Sequence, residues 1–318
     1  MEVFTHTALQ MLILFTLVLL GAIARKTHLM NDDFDALLSR LVMTITLPGM
    51  ILNSVLSNTN LPTDREMFTM LGVSFVVYLC TCTLSFVIVR VFYRGVSLPA
   101  QGAHTFLIAF GNTGFIGFAV LEAIFGTDAV LYGAIFNIPF NLFMFSVGLL
   151  FISSTGTTKQ QHARSDQIKR ILHQLLSPCL ISCFIAIFLA LNHIADDGYI
   201  GKTCALLGQM TVPASMLIIG SSLAKMPLRD MINDGWSYLT AALRLIGIPL
   251  IIFFIGRLFI TDPFILAVVV VLSAMPAASS GTMMCLAYGG DTRAMARGTF
   301  LTTILSLATL PFIAFLVV

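Results

Sequence analysis

Two short stretches concentrate residue types that can hold a ligand in a chain that is otherwise apolar. The first is Phe110-Gly111-Asn112-Thr113-Gly114-Phe115-Ile116-Gly117, and the second is Ser273-Ala274-Met275-Pro276-Ala277-Ala278-Ser279-Ser280-Gly281-Thr282. Glycine in a helix interior costs about 1 kcal/mol relative to alanine. Proline removes a backbone donor and clashes with the preceding turn. Each stretch is therefore a place where a helix breaks and restarts. A restarted helix presents free N–H groups and partial positive charge, which suits an anion such as a carboxylate. The restarting ends fall near Thr113-Gly114-Phe115 and Ala278-Ser279-Ser280, with Asn112, Pro276, Ser279 and Ser280 beside them. No Lys or Arg lies in either stretch, so a carboxylate would be held there by dipoles and amides.

Other polar residues in apolar surroundings are weaker candidates. Asn137 and Asn141 share a helix face by their spacing, and Asn53 is similarly placed in an earlier helix; buried amides need partners or a cavity. Glu122 and Arg244 are charges inside apolar runs, and Arg244 either attracts an anion or anchors to a neighbouring carbonyl. Asp128 and Asp291 read as helix caps. His104 reads as interfacial. Paired mid-membrane carboxylates, a zinc pattern and a nucleotide-binding loop are all missing from the sequence, so no metal or cofactor is expected.

The elements that must position these residues follow from composition. Of 318 residues, 58% are hydrophobic and 10% charged, and mean hydropathy is +0.96. A soluble domain of this size needs far more charge to cover its surface. A soluble enzyme, a nucleic-acid binder and a disordered chain are excluded. Net charge is only +2, which offers no field for nucleic acid. The cysteines sit in or beside apolar runs and read as small core residues.

A membrane-crossing helix needs about 20 apolar residues. Ten such runs are present, at 7–25, 36–56, 67–91, 101–125, 129–152, 173–192, 200–223, 236–258, 263–288 and 294–317. The expected fold is all-α, since open sheets cannot live in lipid. The first run has no basic segment before it and reads as a retained span rather than a signal peptide. A connection at 153–172 divides the chain into halves, 1–152 and 173–318. With the N-terminus outside, cytoplasmic connections collect Arg25, Lys26, Arg40, Arg90, Arg94, Lys159, Arg164, Lys169, Arg170, Lys225, Arg229, Arg293 and Arg297. External ones hold Arg65, Lys202 and Arg257. The positive-inside rule thus places both termini outside a cell membrane.

The halves resemble each other. Thr46-Leu47-Pro48-Gly49-Met50-Ile51-Leu52 matches Thr211-Val212-Pro213-Ala214-Ser215-Met216-Leu217, and Phe125-Gly126-Thr127-Asp128 matches Tyr288-Gly289-Gly290-Asp291 at nearly the same offset. An odd number of spans per repeat makes the copies inverted across the membrane, an architecture of secondary transporters that bind at paired helix breaks.

These motifs resemble those of the auxin efflux carrier family, which includes bacterial malate permeases and plant auxin carriers. The resemblance covers essentially the whole chain: the Leu-Pro signature, Gly111-Asn112-Thr113-Gly114-Phe115, and Tyr288-Gly-x-Asp291. It implies crossed helices four and nine, as in bile-acid-transporter-like folds. It also implies a scaffold of spans 1, 2, 6 and 7, a transport unit of spans 3–5 and 8–10, carboxylate substrates and homodimers through the scaffold. Gly111 stands where plant members place a proline, and the central connection is short, which shifts the expected substrate from auxin toward a dicarboxylate such as malate. Coupling to H⁺ through Glu122, with Arg244 as a modulator, is the accompanying expectation. The alternative is a sodium-coupled organic-anion symporter of the bile-acid-transporter type. An intramembrane protease would want a serine–histidine or paired-aspartate set, which does not recur here.

Overall fold

The computed structural model describes residues 2–57, 61–153, 177–196, 198–225 and 233–317. In chain order the helices are α1 (Glu2–Lys26), α2 (Asp32–Leu56), α3 (Asp64–Phe92), α4 (Leu98–Ala109), α5 (Thr113–Phe125) and α6 (Asp128–Ser153). They continue as α7 (Pro178–Leu191), α8 (Tyr199–Lys225), α9 (Gly235–Phe259), α10 (Pro263–Ser273), α11 (Ser280–Tyr288) and α12 (Thr292–Val317). Among the described residues there are no strands; the one β-type pairing is an isolated antiparallel bridge between Gly111 and Ala277. Six helices, α2, α3, α6, α8, α9 and α12, are long and apolar enough to cross a membrane.

Local sequence explains the helix starts. Asn31 accepts from the Phe34 amide to cap α2, Thr63 and Glu66 cap each other's amides at α3, and Asp262 accepts from the Phe264 and Ile265 amides at α10. Asp291 does the same for α12 through the amides of Arg293 and Ala294, as its spacing predicts. Asp128 is simply the first residue of α6.

Four helices contain a single widened turn, at Val42–Thr46, Thr113–Gly117, Met144–Gly148 and Leu243–Gly247. Two of these precede Pro48 and Pro249, whose rings would clash with the turn before them.

Packing separates two groups of helices. Helix α8 lies along α1 and α2, and α7 packs on α2. Glycines permit this closeness: a Cβ at Gly21 or Gly220 would overlap the backbone of α8 or α1, and one at Gly208 would press on Met50. The other group is built on α3 against α4 and α6, and α9 against α10 and α12, with α4 also on α12. The breaks lie inside this second group and face α2, α7 and α8.

Several expectations need adjustment. The expected spans 101–125 and 263–288 are each two helices; of the run at 173–192, Pro178–Leu191 is helical and 173–176 lie outside the described residues. His104 lies in α4 and is buried within the protein. It is 2% exposed, and its Nδ1 pairs at 2.8 Å with the Thr240 hydroxyl, which also meets the Tyr93 hydroxyl at 2.9 Å. Residues 154–172 of the central connection, with Lys159, Arg164, Lys169 and Arg170, lie outside the described residues, as does Arg229.

Candidate functional site

Helix α4 ends at Ala109 and α10 at Ser273, and the chain between each and its continuation runs extended or irregular. The two breaks meet. The Asn112 amide donates to the Pro276 carbonyl at 2.6 Å, and the Ala278 amide donates to the Phe110 carbonyl at 3.0 Å. The Ala277 amide donates to Thr302 Oγ1 at 3.1 Å. Backbone groups released by the breaks are thereby paired, as a low-dielectric interior demands. Behind them Tyr78 stacks on Phe110 at 6.3 Å and packs on Phe136 and Phe140 at 5.1 and 5.7 Å.

Arg244, on the widened turn of α9, is 3% exposed. Its Nε donates to the Met275 carbonyl at 2.9 Å, and its Nη1 donates to the carbonyls of Ile108 and Ala109 at 3.1 and 3.3 Å. These bonds anchor it to neighbouring carbonyls, the contact its position allowed. Gly111 follows from this: a Cβ there would occupy the guanidinium's place.

Two cavities flank the meeting point. The larger, about 470 Å³, is lined by Asn112, Gly114, Phe115, Asn137, Asn141, Ala278, Ser279 and Ser280 among the expected residues or their neighbours. Its remaining wall is mainly apolar, including Met43, Leu47, Phe140, Met144 and Phe145. The smaller, about 160 Å³, is lined by Ser39, Ser222, Thr299 and Thr303 with Ile and Leu side chains. Asn112, Phe115 and Ser279 belong to both walls. Among the described residues, neither lining contains an Asp, Glu, Lys, Arg or His.

Donors face this space. Asn112 Oδ1 accepts the Phe115 amide at 3.2 Å and so caps α5, which leaves its side-chain nitrogen for the cavities. Ser279 is exposed within them, and the Ser280 hydroxyl rests on Met144 Sδ at 3.4 Å. Asn141 donates to the Asn137 carbonyl at 2.7 Å, so its oxygen remains available.

Other expected residues are placed differently. Asn137 touches the wall but is spent on the protein: Oδ1 accepts from the Thr113 hydroxyl and Nδ2 donates to the Gly133 carbonyl, both at 2.8 Å. Thr113 is fully buried by that bond, and Pro276 is buried at the crossing. Asn53 lines neither cavity; it accepts from the Ser57 hydroxyl at 2.8 Å. Glu122 also lies outside both linings, in the last turn of α5. The sequence reading missed the hydroxyls of Ser39, Ser222, Thr299 and Thr303. Of these, Thr299 and Thr303 share a face of α12 by i,i+4 spacing, which could have flagged them. Among the described residues no cluster of His, Cys, Asp and Glu could hold a metal ion.

A family model described as "Membrane transport protein" matches residues 6–314. An uncharacterized transporter of Methanothermobacter thermautotrophicus is 26% identical over 310 residues, covering 96% of this chain and 96% of the relative. The uncharacterized transporter MJ1031 of Methanocaldococcus jannaschii is 24% identical over 314 residues, covering 93% of this chain and 94% of the relative.

Proposed function

Because the chain belongs to the membrane transport protein family, the group with auxin-efflux-carrier-like motifs, and is thus a transporter rather than an enzyme, we propose that it carries small organic carboxylates by alternating access. The observation that carries this reading is the convergence of two helix N-termini, those of α5 and α11, on Asn112 and Ser279, which border both cavities. A carboxylate there would accept from first-turn amides and from the Asn112 side-chain nitrogen. The donors in direct contact would be uncharged, with each helix start contributing roughly half a positive charge.

The chain consists of ten spans in two inverted repeats, with α4–α5 and α10–α11 as the crossed fourth and ninth. Helices α1, α2, α7 and α8 form the scaffold, through which two copies pair, and the remaining helices move against it. The cavity walls include Ser39, Ser177 and Ser222, near the helix ends that the basic residues assign to the cytoplasm. This reading therefore assigns the conformation as inward-facing. The described wall favours one carboxylate on an apolar body: among the described residues, a second carboxylate, as in malate, would find no cation in either lining.

Uptake of a carboxylate panel into proteoliposomes, with imposed pH and Na⁺ gradients, tests the proposal. Accumulation of monocarboxylates and not of their amides is expected. Uptake of uncharged analogues alone would contradict it, and a strict Na⁺ requirement would favour the sodium-coupled reading.

A further inference from the structure

Four half-helix ends meet at the crossing, and their partial charges would nearly cancel. The C-terminal ends of α4 and α10 each carry roughly half a negative charge, and the N-terminal ends of α5 and α11 roughly half a positive one. Left to themselves they make a polar but neutral centre. Arg244 alters that balance. Its guanidinium binds last-turn carbonyls of α4 and the carbonyl of Met275 just past α10, and guanidinium does not lose its proton in proteins.

Among the described residues the charge has no acidic partner to cancel it. Ion pairs among the described residues join Arg25 to Asp32 and Asp35, and Lys225 to Asp32; Arg244 is in none of them. A buried cation would ordinarily be matched by a carboxylate. Here carbonyl dipoles satisfy its hydrogen bonds while the net charge remains. The close fit of Gly111 keeps the guanidinium beside the break that carries Asn112.

We infer that Arg244 is the fixed positive charge of the crossing: it offsets the two C-terminal dipole ends, leaves the two N-terminal ends unopposed, and gives the site a net charge matched to one anion that it never touches. Arg244 is in this sense a positioning residue with an electrostatic output. The inference shares with the proposed function the premise that the crossing attracts an anion, yet it can be tested without knowing the substrate.

The test reads the local field with thiol reagents of opposite charge. In the reconstituted full chain, with the native cysteines replaced by serine or alanine, Ser279→Cys is modified by an anionic sulfonatoethyl and a cationic trimethylammonioethyl methanethiosulfonate. Each rate is normalised to that of a free small thiol. Charged clefts change local concentrations and encounter rates by about tenfold or more, so the anionic reagent should be favoured by about that factor. Arg244→Gln should bring the ratio near one, and Arg244→Lys, which keeps the charge, should preserve the preference. A merely structural Arg244 would change overall accessibility and leave the ratio intact.

A ratio near one in the Arg244-containing chain overturns the inference, even if Arg244→Gln fails to fold. So does a ratio that survives Arg244→Gln, or that collapses in a folded Arg244→Lys chain. The carboxylate reading stands or falls separately, on the uptake panel: a strong anion preference with no carboxylate uptake would retire the substrate class and leave the role of Arg244 in place.

Discussion

The Asn112 amide donates to the Pro276 carbonyl at 2.6 Å, joining two helix breaks that are far apart in the chain. The bond makes Asn112 a hinge of the crossing as well as a wall of both cavities, because its side chain also caps α5.

Replacing Asn112 with alanine keeps the backbone bond and removes the cap and the free side-chain donor. A hydrogen bond to a charged group is worth about 1.5–3 kcal/mol, so carboxylate affinity should fall roughly ten- to over a hundredfold. Calorimetric titration of the purified variant measures this, and an unchanged dissociation constant in a folded chain would remove Asn112 from the binding role.

Asn137 should behave as a structural residue. Asn137→Ala leaves the buried Thr113 hydroxyl without its acceptor and removes a second donor from the Gly133 carbonyl, at a cost of about 1–3 kcal/mol. A lower thermal midpoint in detergent is expected. Thr113→Val combined with Asn137→Ala should cost less than the sum of the single changes, since the pair shares one bond. Strict additivity would mean that the bond contributes nothing.

The α1–α8 contact sets a packing prediction. Gly21→Leu and Gly220→Leu place side chains where the partner's backbone lies, whereas a Cβ added at Gly72 would meet open space. Fluorescence-detected size exclusion should show loss of the monodisperse peak for the first two, and retention of it for Gly72→Ala.

How much of this was legible in the residues depends on how local the cause is. Both breaks were, because Gly111, Gly114, Pro276 and Gly281 weaken a helix wherever it packs. The cap at Asp291 is also local, and so is the partner of Asn53: of the two options its position left open, a partner or a cavity, the Ser57 hydroxyl one turn on supplies the first. Arg244 could not be resolved from sequence: its partners lie on α4 and just past α10, and only tertiary contact chooses between an anion and a carbonyl. The His104–Thr240 pair was hidden for the same reason, since Thr240 reaches it from a different helix.

Acid should loosen the connection before α8. Hydrogen bonds from the Gly198 and Gly201 amides hold the Asp196 carboxyl below its ordinary value of 3.8. A carboxyl lowered on folding stabilises above its unfolded value, and that contribution is lost as pH falls toward and through the folded one. Asp196→Asn should therefore show a weaker loss of stability below about pH 4 than the parent chain. Thermal midpoints across the acid range would reveal it, and identical acid profiles would contradict it.

Orientation is open to labelling. Thr127→Cys, between α5 and α6, should react with impermeant reagent from outside, and Gly95→Cys, between α3 and α4, from the cytoplasm. The reverse pattern would invert the topology and the inward-facing assignment.

The most direct measurement is the position of a bound carboxylate. A bromine-substituted monocarboxylate chosen from the uptake panel can be located in a structure of the complex by its anomalous signal and density. The account predicts its carboxylate between the first turns of α5 and α11, within hydrogen-bond distance of the Asn112 side chain and the Ser280 amide, with its apolar body in the larger cavity. A carboxylate seated instead against Glu122, or in direct contact with the Arg244 guanidinium, would contradict it.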